Sequence, residues 1–370
     1  MSLVFYRKYR PQTFAEVIGQ EHVVKTLTNA IAAGLVSHAY LFCGPRGSGK
    51  TTLARLLAKA VNCQNRKSGE TEPCNTCSSC KEIMEGRSLD LIEIDAASHR
   101  GIDDIRELRE GIKFVPLKSK YKVFILDEAH QLSKDAVNAL LKTLEEPPSH
   151  AIFVLATTEI HKMLPTIISR CQHFDFRKLT TPEIVKKLEI ICAKEGGVRM
   201  EKAALELIAL NSGGAIRDAE SLLDQALTFA SEGAKELKAQ DIKEILGLVE
   251  TELVSQFCDF LCRKTAKGAI NFLNDLADRG MDLSEFNKAL VNYLRQILIL
   301  KITGLEAAGP IITGLTKEEF EKLRQQTDIF NELEIQNLLN LFIEAGNKMK
   351  YSPIIQLPLE LATVEFCGIV

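Results

Sequence analysis

The sequence predicts an α/β domain built on a parallel sheet, followed by an almost entirely helical remainder. Three observations carry this. Apolar runs at 39–43, 90–95, 121–126 and 151–156 alternate with segments of helical periodicity, the pattern of parallel strands joined by crossover helices. The stretch Gly44-Pro45-Arg46-Gly47-Ser48-Gly49-Lys50-Thr51 sits between the first run and a helix, the strand, turn, helix setting of a phosphate-binding loop. After Phe176 the chain reads as helix almost to its end.

The elements follow in order. Glu21 to about Ala33 is helical and Gly34 stops it. Ala39-Tyr40-Leu41-Phe42-Cys43 is a buried strand, and Leu53 to Val61 a helix. Cys63 to about Gly86 is polar and rich in cysteine and glycine, an insertion. Asp90 to Asp95 is a strand, and Ile102 to Lys113 a helix with Ile102, Ile105, Leu108 and Ile112 on one face. Tyr121 to Leu126 is a strand ending in Asp127-Glu128-Ala129-His130. Ser133 then caps a helix that Pro147-Pro148 closes. Ala151 to Ala156 is the next strand, ending in Thr157-Thr158. Thr181-Pro182 opens the helical part, with helices at 182–195, about 201–211, 215–231 and near 239–246. Amphipathic stretches at 253–263, 284–302 and 332–348 mark a second helical block.

Composition excludes several classes. A net charge of −3 over 370 residues is not that of a histone-like basic protein, so any nucleic-acid contact has to come from a local basic surface. No apolar run approaches the ~20 residues of a membrane span, and the N-terminus lacks a signal-peptide pattern. A cytosolic chain is expected, in which the ten cysteines are not paired as disulfides.

The residue types of the glycine loop follow from its chemistry. Glycines at 44, 47 and 49 let successive backbone N–H groups turn toward one phosphate chain, and the helix N-terminus adds partial positive charge. Lys50 brings a point charge to the β- and γ-phosphates of ATP, and Thr51 a hydroxyl for Mg²⁺. Gly44, Pro45, Gly47, Ser48, Gly49, Lys50, Thr51 and Thr52 are therefore the expected nucleotide-binding residues. Asp127 and Glu128 end a strand of the same sheet, where ligands of α/β folds sit. Asp127 suits Mg²⁺, directly or through its water, and Glu128 suits the activation of an attacking water.

Cys63, Cys74, Cys77 and Cys80 form C-x10-C-x2-C-x2-C. Four thiolates at this spacing suit a tetrahedral structural Zn²⁺ site with no open position for catalysis. A ferredoxin-type run would place its next cysteine at position 84, which is Met84. The stretch is too polar to be a core with free thiols. Cys43, Cys171, Cys192, Cys258, Cys262 and Cys367 are scattered in mostly apolar contexts and read as buried thiols.

The glycine loop, Asp127-Glu128-Ala129-His130, Leu144-Glu145-Glu146-Pro147-Pro148, Ala156-Thr157-Thr158 and Ser169-Arg170-Cys171, in this order and spacing, resemble the AAA+ clamp loaders. With Tyr9-Arg10-Pro11 and the cysteine insertion they resemble the tau/gamma family of bacterial DNA polymerase III. The resemblance spans essentially the whole chain. It implies a RecA-like AAA+ P-loop domain with a zinc insert (residues 1–178), a helical lid (179–242) and an all-α collar that oligomerises (243–370). It implies that Thr158, in preference to Thr157, is sensor 1. Arg170 would be an arginine finger acting in trans on a neighbouring subunit's ATP, and Arg217 the lid's sensor 2. Tyr9, Arg10, Pro11, Val17 and Ile18 would surround adenine. DNA contact through Arg100 beside His99 is a weaker implication.

The activity implied is an ATPase that opens a sliding clamp and loads it onto primer–template DNA, ATP binding assembling the open state and hydrolysis releasing clamp and DNA. The partners implied are further copies of the chain, delta and delta-prime subunits, the clamp and DNA, in the bacterial cytoplasm and away from membranes. The resemblance further implies that polymerisation belongs to other subunits and that contacts with polymerase core and helicase belong to C-terminal regions of longer relatives, so that a chain ending at Val370 is expected to be a truncated or gamma-like form. Two alternatives stand beside this: a non-hydrolysing AAA+ scaffold, and another AAA+ DNA motor such as a branch-migration translocase.

Overall fold

A computed structural model describes residues 4–98, 111–112, 114–196, 198–230, 236–247, 249–308 and 316–368. The chain forms two compact units, Met1–Ala239 and Gln240–Val370.

In the first unit a short helix α1 (Phe5–Lys8) and α2 (Glu21–Ala33) precede β1 (Ala39–Cys43). Then come α3 (Lys50–Val61), α4 (Ser78–Met84), β2 (Leu91–Asp95), β3 (Lys122–Asp127), α5 (Lys134–Glu145), β4 (Ala151–Thr157), α6 (Pro165–Ile168) and β5 (Gln172–Asp175). The segment after β5 adds α7 (Thr181–Glu195), α8 (Lys202–Asn211) and α9 (Ile216–Ala230), with a two-residue ladder between β6 (Arg199–Met200) and β7 (Glu236–Leu237).

The five strands of the main sheet are all parallel, in the order β2-β3-β4-β1-β5. Successive side chains alternate between two cores, as strand geometry requires. Tyr40, Phe42, Val123, Ile125, Ile152 and Val154 pack with α2 and α3 through Val23, Leu27, Ile31, Leu53 and Leu57. Leu41, Phe124, Leu126, Phe153 and Leu155 pack with Leu140, Leu144, Met163 and Ile167 on the other face. Burial on both faces is why the central strands read as unbroken apolar runs. Leaving β1, the chain passes across to β2, so the carboxyl ends of β1, β3 and β4 converge at the point where strand order reverses, the usual ligand crevice.

Several elements depart from expectation. β5 was not foreseen: of its four residues only Phe174 is buried, so this edge strand carries no apolar run. Within the cysteine insertion, α4 starts on Cys77, whose sulfur accepts from the Cys80 N–H. The helix expected over 102–113 falls almost wholly outside the described residues, as do His99 and Arg100. Ser133 caps α5 as expected, its hydroxyl accepting from the Ala136 N–H.

The second unit holds α10 (Ala239–Ile245), which starts at the boundary, α11 (Thr251–Cys262), α12 (Ala266–Asp278), α13 (Leu283–Ala308), α14 (Lys317–Ile329), α15 (Glu332–Met349) and α16 (Leu357–Cys367). Phe257, Phe286 and Phe342 meet edge to face at its centre. Gln326 is buried and fully used, accepting from the Tyr293 hydroxyl at 2.7 Å and donating to Ser255 O at 2.9 Å. Such satisfied polar links fix helix register without an unmet desolvation cost. Among the described residues, no helix is long and apolar enough to cross a membrane.

Candidate active site and metal centre

The glycine loop leaves β1 at Cys43 and ends where α3 begins. Gly44 donates its N–H to Thr157 O at 3.1 Å. A Cβ on Gly44 would stand 2.3 Å from Phe176 O, so only glycine allows this approach. Gly47 has φ +74°, and a Cβ there would meet Ala215 at 2.8 Å. That contact matters because α9 starts against the loop, with Ile216 N–H donating to Gly47 O at 3.2 Å. The loop and α9 therefore share one backbone junction.

A cleft of about 430 Å³ opens over this junction. Its walls include Arg46 to Thr52, Asp127, Glu128 and Arg217. Lys50 is buried and donates to Gly44 O (2.7 Å) and Pro45 O (2.9 Å). Burial lowers its pKa, and the carboxylates of Glu128 and Asp127 act in the opposite direction. The Thr51 hydroxyl donates to Asp127 Oδ2 at 2.8 Å, uniting the two residues expected to hold Mg²⁺.

Glu128 is in the left-handed region (φ +49°, ψ +44°), which costs a non-glycine residue of order 1 kcal/mol or more. The turn lifts its carboxylate out of the strand line. There it accepts from the Thr158 hydroxyl at 2.9 Å. His130, nearly buried, adds a second contact: Nδ1 is 3.4 Å from the same carboxylate oxygen and 2.9 Å from Thr157 Oγ1, and Nε2 is 3.3 Å from Glu159. Thr157 is fully buried. Neither threonine lines the cleft; Thr158 reaches it through Glu128, and Thr157 contacts His130, which in turn stands against Glu128. No role for His130 or Glu159 was foreseen, although the histidine closes the Asp127-Glu128-Ala129-His130 motif.

Arg217 lines the cleft with its guanidinium carbon 4.6 Å from the centre of the Tyr6 ring. Arg10, Pro11, Val17 and Ile18 line it as well, together with Tyr6, Glu16, Leu179, Lys187, Ile216 and Glu220, none of which the sequence marked. The structure does not bring Tyr9 to the cleft: its hydroxyl donates to Glu195 at 2.6 Å and its ring packs on Phe5. Arg170 also lies elsewhere. It follows α6, donates to Thr166 O at 2.7 Å and pairs with Glu145 at 2.7 Å, with a third of its side chain exposed.

The sulfurs of Cys63, Cys74, Cys77 and Cys80 all lie within 4.8 Å of one another. Cys74 and Cys80 are 3.9 Å apart, against about 3.8 Å for the edge of a tetrahedron with metal–sulfur bonds near 2.3 Å. Backbone N–H groups of Cys74, Thr76, Cys77 and Cys80 point at cluster sulfurs at 3.3–3.4 Å. Burial pushes the Cys74 thiol up, and hydrogen bonds from Thr76 and Cys77 outweigh it, bringing the group to about 5. The donor set fits a thiophilic, four-coordinate ion. Lys59 of α3 is buried beside these cysteines and donates to Gln12 Oε1 at 2.8 Å, which ties the glycine-loop helix to the N-terminal arm. The remaining cysteines are free and buried or half-buried.

Comparison with known proteins now bears on this geometry. Family models match in three consecutive pieces: "DNA polymerase III, delta subunit" over residues 19–180, "DNA polymerase III clamp loader subunit, ATPase lid domain" over 183–232, and "DNA polymerase III subunits gamma and tau domain III" over 237–369. The chain is 44% identical to DNA polymerase III subunit tau of Bacillus subtilis over 98% of its own length and 62% of that protein. It is 36% identical to DNA polymerase III subunit gamma of Buchnera aphidicola, covering 97% of each. Among solved structures, a Thermotoga maritima RuvB Holliday junction branch migration motor superposes with a TM-score of 0.49 at 21% identity, covering 68% of this chain and 78% of that one. From the cysteine insertion to the final helices, the chain belongs to the gamma/tau family of DNA polymerase III clamp-loader subunits.

Proposed function

We propose that the chain is an ATP-driven motor subunit that opens a sliding clamp and loads it onto primer–template DNA. The observation that carries this is the meeting, at the carboxyl ends of β1, β3 and β4, of Lys50, the Thr51–Asp127 pair and the Glu128–Thr158 pair, in a chain of the clamp-loader family. Backbone N–H groups from Gly47 to Thr52 cradle the phosphates of ATP, and Lys50 leaves its carbonyl partners to meet the β- and γ-oxygens. Thr51 and Asp127 hold Mg²⁺, which when bound neutralises charge on those oxygens. Glu128 takes a proton from the attacking water, with Thr158 and His130 fixing the direction of its carboxylate. Arg217 reports nucleotide state to the lid through α9, and Arg170 completes the site of a neighbouring copy. The division into ATPase domain, lid and collar at 1–178, 179–242 and 243–370 belongs to the same proposal. So do assembly with delta and delta-prime subunits and a bacterial cytoplasmic setting.

The branch-migration alternative shares the α/β fold but lacks support from the matched families. The scaffold alternative lacks a reason for an intact Lys50, Asp127 and Glu128. A loading assay decides: the assembled complex should transfer a labelled, closed clamp to primed circular DNA only with ATP. Clamp transfer that is indifferent to ATP would leave the scaffold, and ATP-dependent motion on branched DNA without clamp transfer would leave the translocase.

Two further outcomes follow. Lys50→Ala should weaken ATP binding by roughly one to two orders of magnitude, the value of one or more charge-assisted hydrogen bonds, read by equilibrium titration of a fluorescent ATP analogue. Zn²⁺ held by Cys63, Cys74, Cys77 and Cys80 should appear as about one equivalent per chain in metal analysis. Substituting Cys74→Ser should lower that content and the thermal stability together; a metal-free, equally stable protein would contradict the assignment.

A further inference from the structure

We infer that Glu220 forms the base-reading end of the cleft, favouring a purine with an amino group at position 6 over one with a carbonyl oxygen there. This rests on the nucleotide assignment above and names a selectivity that assignment does not contain.

The cleft has two chemically distinct ends. One is the glycine loop. The other is reached along α9, which starts against Gly47 and carries Glu220 four residues beyond Ile216, about 6 Å farther along the axis and on the same face. The cleft walls also include Val17, Ile18, Leu179 and Ile216, apolar side chains that suit the faces of a flat heterocycle. Glu220, Lys187 and Arg10 line the same cleft. Glu220 is 5% exposed, yet within the described residues its carboxyl makes neither hydrogen bond nor ion pair. Lys187 is also buried and directs its ammonium to Tyr9 O at 3.0 Å. Arg10 Nε is buried without a partner.

A buried acid left unpaired is costly. Burial pushes Glu220 up to about 7, with the cations of Lys187 and Arg10 acting against it. A ligand that donates a hydrogen bond to this carboxylate removes the cost, and the amino group at C6 of adenine is such a donor. A 6-oxo purine instead aims an acceptor oxygen at the carboxylate, leaving both groups unpaired. Sites built to accept one hydrogen bond reject the analogue that lacks the donor far more strongly than apolar pockets reject a change of size. Arg10 Nε offers an unspent donor for a ring nitrogen of the same edge.

The test uses the full chain at pH 8, above the Glu220 titration. ATP, inosine triphosphate and purine riboside triphosphate, which has hydrogen at position 6, compete against a fluorescent ATP analogue. ATP should bind at least about tenfold tighter than the inosine compound, with the purine compound between them. Glu220→Gln, whose amide both donates and accepts, should narrow the ATP-to-inosine ratio to about threefold or less. Glu220→Leu should do so without an added donor. Equal affinity for the two purines in the unmodified chain, or a ratio unchanged in both variants, would overturn the assignment. Failure to bind any of the three would overturn the nucleotide assignment and this one with it.

Discussion

Replacing Glu128 by glutamine should cut ATP turnover of the assembled complex by about 10²–10⁴, the range for losing a positioned general base, while ATP affinity stays within about twofold. The substitution keeps the shape and the hydrogen bond from Thr158, so the loss reports the proton-accepting role. The surroundings explain why Glu128 is poised. Its left-handed backbone at the end of β3 turns the side chain toward the cleft, and Thr158, just past β4, and His130, just past β3, hold one carboxylate oxygen. Single-turnover hydrolysis, measured beside equilibrium binding, separates the steps. Unchanged turnover would move the base elsewhere and reopen the scaffold alternative.

Arg170→Ala should remove about 10³-fold or more of hydrolysis at the neighbouring copy's site, the scale of an arginine finger, with ATP binding retained. Arg170 does not line its own chain's cleft. Its partners are Thr166 and Glu145, and the pair with Glu145 is exposed. Such pairs contribute only about 0–1 kcal/mol, so the variant should fold normally. Mixing Arg170→Ala chains with Glu128→Gln chains distinguishes action in trans: some interfaces then join an intact Glu128 to an intact Arg170, and partial turnover returns. Loss of ATP binding in the single variant, or no recovery on mixing, would refute the in-trans role.

What was legible in the sequence is what local chemistry dictates. The central strands announced themselves because both of their faces are buried, and the loop, the acids and the cysteines because their spacing carries their chemistry. The polar edge strand β5, with only Phe174 buried, gave no such signal. Glu220 and Lys187 escaped because the cleft is assembled from the arm and two lid helices far apart in the chain. A trace was nevertheless present. Glu220 falls in the buried stripe of α9 with Ala219, Leu223 and Ala226, and Lys187 in that of α7 with Ile184, Leu188 and Ile191. A charge inside an apolar stripe is a local conflict, and such conflicts concentrate at functional sites. His130 was visible beside Glu128, but only the fold reveals that it bridges β3 to Thr157 and Glu159.

The central claim is that this chain supplies part of an ATPase site that Arg170 of a neighbouring copy completes and that clamp and DNA stimulate. It is tested most directly by steady-state ATP turnover of the complex reconstituted from this chain and its family's delta and delta-prime subunits. Turnover is measured alone, with sliding clamp, with primed DNA, and with both. The account predicts low turnover alone and the largest stimulation with clamp and primed DNA together, abolished by Lys50→Ala. Equal stimulation by branched DNA with no effect of the clamp, or no turnover under any condition, would contradict it.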